Sequence, residues 1–190
     1  MADLDRSIIK RPQVGVCGLS CRLCPMYQTE AKSRCEGCKS PRGRMAAGCG
    51  FITCALTRGI EFCWDCEEGA VCARWEKIRE MGKHHDSPKC YQTLEADITL
   101  AQECGIAEFE KQQKERERLL LNMLTGYNEG RSKSFFCVAA TVLPVEDLEA
   151  SLSRAARETR GLDPKGKAKA LRALLERAAA DRDLSLKLRK

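Results

Sequence analysis

From about residue 70 onward the apolar positions recur with helical spacing. Val71, Trp75 and Ile78 stand at i, i+4 and i+7, which puts them on one helix face. Ser87-Pro88 then opens a second helix, with Tyr91, Leu94, Ile98 and Ala101 on one side and Gly105 as its stop. Residues 106–125 form a longer charged helix whose apolar positions are Ile106, Phe109, Leu120, Met123 and Leu124. Its run from Lys111 to Arg118 reads as a solvated face. After a loop at 126–130, residues 134–143 are apolar nearly all round, which predicts a buried helix ending at Pro144. Two amphipathic helices follow near 145–159 and 165–180, split by Gly161-Leu162-Asp163-Pro164. The tail alternates Leu184, Leu186, Leu188, the spacing of a short strand.

Residues 14–72 behave differently. They are rich in glycine and show no sustained helical or alternating period, so an apolar core is not expected to order them. Residues 1–13 read as a polar lead-in. The fold expected is mainly α: an irregular, glycine-rich, cysteine-ligated module over 14–72, then a helical region over 73–190 built as a bundle of about five to six helices.

The cysteines explain what could order the module. Ten of the thirteen lie between Cys17 and Cys72, and only Cys90, Cys104 and Cys137 fall outside. The N-terminus has no apolar stretch behind a basic one, and no run of residues is apolar enough to span a membrane. The expectation is a cytoplasmic protein without a membrane partner, where thiols stay reduced and crowded cysteines read as metal ligands. The proposed ligands are Cys17, Cys21, Cys24, Cys35, Cys38, Cys49, Cys54, Cys63, Cys66 and Cys72. Three C-x-x-C pairs occur among them, at 21/24, 35/38 and 63/66. A turn of that length lets two thiolates reach one zinc ion and leaves two tetrahedral positions for another pair. Cys21/Cys24 with Cys35/Cys38 makes one set, and Cys63/Cys66 with two of Cys49, Cys54 and Cys72 makes another. Cys35-Glu36-Gly37-Cys38 resembles a zinc knuckle, in which glycine allows positive φ and turns backbone N–H groups toward sulfur.

Ten thiolates do not divide into fours, so two or three zinc ions remain open. His84, His85 and Cys90 are reserves, although the histidine pair reads first as a polar helix end. An iron–sulfur cluster is the alternative cofactor. Cys17-x3-Cys21-x2-Cys24 has the spacing of radical S-adenosylmethionine enzymes, but that chemistry uses a βα barrel, and no βα alternation is present.

The segment Cys17-Gly18-Leu19-Ser20-Cys21-Arg22-Leu23-Cys24-Pro25 resembles the C-G-L-x-C-x-x-C-P opening of an uncharacterised prokaryotic cysteine-rich family, domain of unknown function 3795. Cys35, Gly37, Cys38, Cys49, Cys54, Cys63, Cys66 and Cys72 are similar to the rest of its signature, with Val71 where the family has proline. Residues 130–137 and 186–190 also resemble its longer members. The resemblance implies zinc binding and carries no activity.

The formal charge of +6 raises the question of nucleic acid. Residues 17–72 hold seven Lys/Arg and six Asp/Glu, and metal-bound thiolates would make that segment acidic. Arg34, Lys39, Arg42 and Arg44 read as neutralisers of thiolate charge. The remaining basic residues are interleaved with acids on amphipathic helices and lack aromatic stacking partners, so nucleic acid is a minority reading. The expected function is a structural zinc protein that binds another protein. The alternatives are an iron–sulfur or zinc redox enzyme and a nucleic-acid-binding zinc protein. One further site is expected: Arg131, Ser132, Lys133 and Ser134 precede the apolar helix and form a candidate anion site at its positive end.

Overall fold

The computed structural model describes residues 6–43, 48–86 and 89–190. The expected start of the lead-in, Arg44 and the Ser87-Pro88 helix opening lie outside them. Among the described residues the chain forms seven helices and no strand. These are α1 Gly50–Arg58, α2 Ala73–His84, α3 Leu94–Glu103, α4 Ile106–Tyr127, α5 Lys133–Val142, α6 Val145–Glu158 and α7 Pro164–Ala180.

Helices α4 to α7 build the main core. Leu119, Leu120 and Met123 of α4 meet Phe136, Ala139 and Ala140 of α5, Leu148 of α6 and Leu171 and Leu175 of α7. Each such leucine or phenylalanine contributes roughly 1.5–3 kcal/mol by leaving water. The helix ends are set locally. Asp163 caps α7 by accepting the Gly166 N–H at 2.8 Å, with Pro164 at its first position. The end of α5 is satisfied from another helix, since Arg116 donates to the carbonyls of Ala140 at 2.8 Å and Leu143 at 2.6 Å.

The cysteine segment packs on this bundle through small apolar clusters. Val14 and Phe62 join Ala101 and Phe109. Leu19 and Trp75 join Leu94 and Ile98 of α3. Leu23 reaches the main core itself. The absence of an apolar core expected for 14–72 is therefore corrected: its period is hidden because each cluster draws single residues from separated turns. Gly18 shows how closely the pieces approach. Its φ is +108°, and a Cβ there would stand 2.9 Å from Ile98 Cγ1.

Three further differences from expectation have local causes. Helix α1 lies inside the segment expected to be irregular; Ile52, Ala55 and Leu56 give it a short buried stripe, and Gly59 stops it in the left-handed conformation. Helix α3 begins at Leu94, because the Asp86 carboxylate holds the Tyr91 N–H at 2.6 Å in a turn. The tail runs as a strap: the Asp86 N–H donates to the Arg189 carbonyl at 2.8 Å, and Leu186 enters the main core. No helix among the described residues is long and apolar enough to cross a membrane.

Candidate metal centre

The proposed ligands enter from turns and helix ends. Cys17, Cys21 and Cys24 follow one another on tight turns after Val14, with the Cys21 N–H bonded to the Gln13 carbonyl at 2.7 Å and the Cys24 N–H to the Cys21 carbonyl at 3.0 Å. Cys35 hangs from the Met26 carbonyl at 3.0 Å. Gly37 has φ +111°, and a Cβ there would come within 2.4 Å of the Pro12 carbonyl oxygen. This turn aims the Cys38 N–H at Cys21 Sγ, 3.2 Å away. Cys49 immediately precedes α1, and Cys72 immediately precedes α2.

Eight of the ten sulfurs fall into two neighbourhoods, with Cys17 within electrostatic reach of both. In the first, Cys21 lies against Cys38, and Cys17 lies within electrostatic reach of Cys38 and Cys49. A thiol–thiol hydrogen bond between the two side chains pulls the Cys38 thiol down to about 5, against its burial and with help from Lys89, and pushes Cys21 up, which the Cys38 N–H opposes. In the second, Cys54 of α1, Cys63, Cys66 and Cys72 line one pocket of about 230 Å³, with Phe51 and Trp75 as its apolar walls. Burial and then the neighbouring sulfurs Cys17, Cys72, Cys54 and Cys66 push the Cys63 thiol up. Arg58 Nη1 lies 3.8 Å from Cys66 Sγ.

This donor set, thiols grouped by four around a pocket, suits zinc in composition. The side chains as placed do not complete a coordination shell: among the described residues no three His, Cys, Asp or Glu side chains form a group that could hold an ion. The second neighbourhood takes Cys54 and Cys72 with Cys63/Cys66, one of the pairings left open by spacing. Cys49 falls to the first. Cys24 lines an inner cavity of about 60 Å³ together with Cys90 and Cys137. His84 is exposed and lies 3.6 Å from Glu80.

The cations expected around the thiolates are arranged otherwise. Lys39 is 1% exposed and spans the module, bonding Glu61 Oε1 at 2.8 Å with its ammonium 4.0 Å from the Phe62 ring centre. Arg42 pairs with Glu36, and Arg34 bonds the Tyr27 carbonyl at 3.0 Å. Besides Arg58 at Cys66, the cation that meets a thiol is Lys89, whose Nζ is 2.7 Å from Cys38 Sγ. Sequence reasoning missed it, since Lys89 stands 51 positions from Cys38 beside no recognisable motif.

The candidate anion residues do not converge. Arg131 lines an outer groove with Lys165, Lys169 and Arg172 of α7. Ser132 is fully buried at the N-cap of α5 without a cap bond, and Ser134 lines the inner cavity. Lys133 is the first residue of α5. Glu129 supplies a negative charge to the loop from within the chain, its carboxyl held low by Ser132, its own backbone, Arg172 and Arg131.

Fold and site thus define a cysteine-rich, mainly helical protein with a thiol-lined module set on a helical bundle. Residues 13–77, about a third of the chain, match the model of a family described as a protein of unknown function, DUF3795. The match ends within α2, so the likeness read over 130–137 and 186–190 lies beyond it. No curated protein and no solved structure matches the chain.

Proposed function

We propose that the cysteine segment is a structural zinc module and that the protein acts by binding another protein. The observation that carries the zinc reading is the gathering of Cys54 of α1, Cys63 and Cys66 of one turn and Cys72 at the start of α2 on one pocket. Chance burial of thiols has no reason to collect them in fours. Cys17, Cys21, Cys38 and Cys49 would hold a second ion, with Cys24 and Cys35 as adjacent sulfurs. Bound zinc supplies cross-links between turns, and all-thiolate sites of this kind are closed and structural. The partner reading is supported by Val71, which is 82% exposed on the turn leading to Cys72 and offers an apolar contact beside a rigid site.

Metal analysis of the purified chain tests the first part. The expected result is colourless protein with two zinc ions per chain. Brown protein with iron and acid-labile sulfide would support the iron–sulfur alternative instead. For the second part, a photo-crosslinker at position 71 should give a discrete protein adduct in cells, and one at exposed Leu121 should not. Equal labelling from both positions would remove the partner surface.

A further inference from the structure

We propose that the inner cavity binds the head group of a small organic cation that carries N–H donors, a primary ammonium or a guanidinium. This goes beyond the zinc and partner readings and depends on neither. The cavity, of about 60 Å³, lies where the cysteine segment, α3, α4, α5 and the C-terminal strap meet. Its walls are mostly apolar, and few polar groups reach it, the usual make-up of a small-molecule site. It opens at Ser134 and Leu188, which are exposed. At about 30 Å³ for each water, the space takes about two waters or a head group of about four non-hydrogen atoms.

The polar groups of the cavity are short of donors. Gln113 of α4 belongs to the run that spacing reads as solvated, yet it is 2% exposed. Its Oε1 has no hydrogen-bond partner among the described residues, and Ser20 Oγ, also on the cavity, has none either. Gln113 Nε2 stands 3.5 Å from Asp97 Oδ1, at the outer limit of a hydrogen bond. Asp97 Oδ2 takes the Thr93 hydroxyl at 3.0 Å. A glutamine enclosed in this way packs no better than leucine, and its unpaired carbonyl works against the fold. Amide oxygen and carboxylate therefore face one small space as acceptors. Two cations stand near, and both are engaged elsewhere. Arg116 is the one whose charge reaches Asp97, and its guanidinium is bonded to the carbonyls of Ala140, Thr141 and Leu143. Lys89 lines the wall with its ammonium 2.7 Å from Cys38 Sγ. A ligand that brings N–H donors and a positive charge satisfies Gln113 and Asp97 together. A ligand carboxylate meets a like charge and two acceptors, and is turned away.

The test is an NMR titration of the full chain at constant ionic strength. Ethylammonium and methylguanidinium chlorides are the probes, with tetramethylammonium chloride and sodium propionate as controls. At least one N–H probe should saturate with a Kd of about 1 mM, the scale open to so few atoms. The signals that move should include the backbone amides of Thr93, Asp97 and Thr141. Tetramethylammonium has the charge without the donors and propionate has the opposite charge, so each should bind at least about tenfold more weakly. Gln113→Leu and Asp97→Asn should each weaken the probe by about tenfold or more, and Lys111→Met, at an exposed position, should match the parent. Asp97→Asn keeps the side-chain shape, so it carries the test if Gln113→Leu fails to fold; unchanged far-UV circular dichroism separates its lost binding from unfolding. Absence of saturation by both probes leaves the cavity to water and overturns the inference. Equal binding of tetramethylammonium, or undiminished binding by Asp97→Asn, places the effect on the outer surface and overturns it too.

Discussion

At the scale of single residues, chemically alike groups are separated by their surroundings. Cys137 sits in α5 among apolar neighbours, and burial pushes its thiol up to about 12, whereas Cys66 stands on the thiol-lined pocket. Cys66→Ala should therefore lower the zinc content by about one ion. Cys137→Ala should leave the content unchanged and cost only about 1 kcal/mol through a small void. Mass spectrometry under native conditions reads both, and equal loss from the two variants would erase the distinction. Asp97 gives a pH-dependent counterpart. Burial pushes its carboxyl up to about 6, opposed by the Thr93 hydroxyl and the charge of Arg116. The folded chain thus holds a proton there that the unfolded chain has lost. The stabilising contribution is complete below about pH 4 and disappears as pH rises through about 6. Asp97→Asn removes the buried charge at neutral pH, so it should gain roughly 1–2 kcal/mol over the parent at pH 7, after allowing for the weakened Thr93 bond. At pH 4.5 the gain should shrink toward zero. Urea unfolding at the two pH values measures this, and an identical difference at both would contradict it.

At the scale of elements, the C-terminal strap is the least obvious structural feature and among the most consequential. Asp86, whose side chain is fully buried, accepts from the Arg189 backbone N–H at 2.8 Å and from its guanidinium at 3.0 Å. Arg189 also donates to the Gly82 carbonyl at the end of α2 at 2.7 Å. Burial raises the Asp86 carboxyl, but Arg189 and the Tyr91 N–H outweigh it and hold the group below its ordinary range. This clamp contributes above about pH 4 and is lost as acid protonates the carboxylate. Asp86→Ala should cost about 2–4 kcal/mol, less than a fully buried pair because Arg189 keeps some solvent. A change below about 0.5 kcal/mol in denaturant unfolding would show that the strap is not holding the turn. None of this was legible in the sequence, because the partners are 103 positions apart and each looks ordinary locally. By contrast α4 to α7 were readable, since their apolar period, Pro144, Pro164 and the glycine loops all agree. Helix α1 escaped notice because nine residues with one buried stripe carry too little period to stand out among cysteines and glycines. The site was legible to the same limited depth: cysteine identity could be read from spacing, but the grouping of Cys54 with Cys72 and the approach of Lys89 depend on tertiary placement.

At the scale of the molecule, two kinds of cohesion meet. Among the described residues the α4–α7 core takes only Leu23 from the cysteine segment, so most of its buried area is independent of the module. Helix α3 is in a different position. Leu94 and Ile98 pack on Leu19 and Trp75, while Ala101 shares a cluster with Val14 and Phe62. These clusters are small, and the turns that supply them are held largely by short backbone bonds around the cysteines. If zinc cross-links those turns, removing it should release the turns first, then the apolar residues they carry, and then the face of α3 that rests on them. Chelation should accordingly open residues 14–72 to protease and raise hydrogen exchange in α3, while α4 to α7 stay protected. Far-UV circular dichroism should fall by the contribution of α1 to α3 and then hold steady. Limited proteolysis with and without chelator, with fragments identified by mass, reads the boundary directly. A chelated chain that keeps residues 14–72 resistant would mean that the small clusters suffice and that metal is not structural. If α4 to α7 were lost in the same step, the two parts would form a single cooperative unit despite their separate cores.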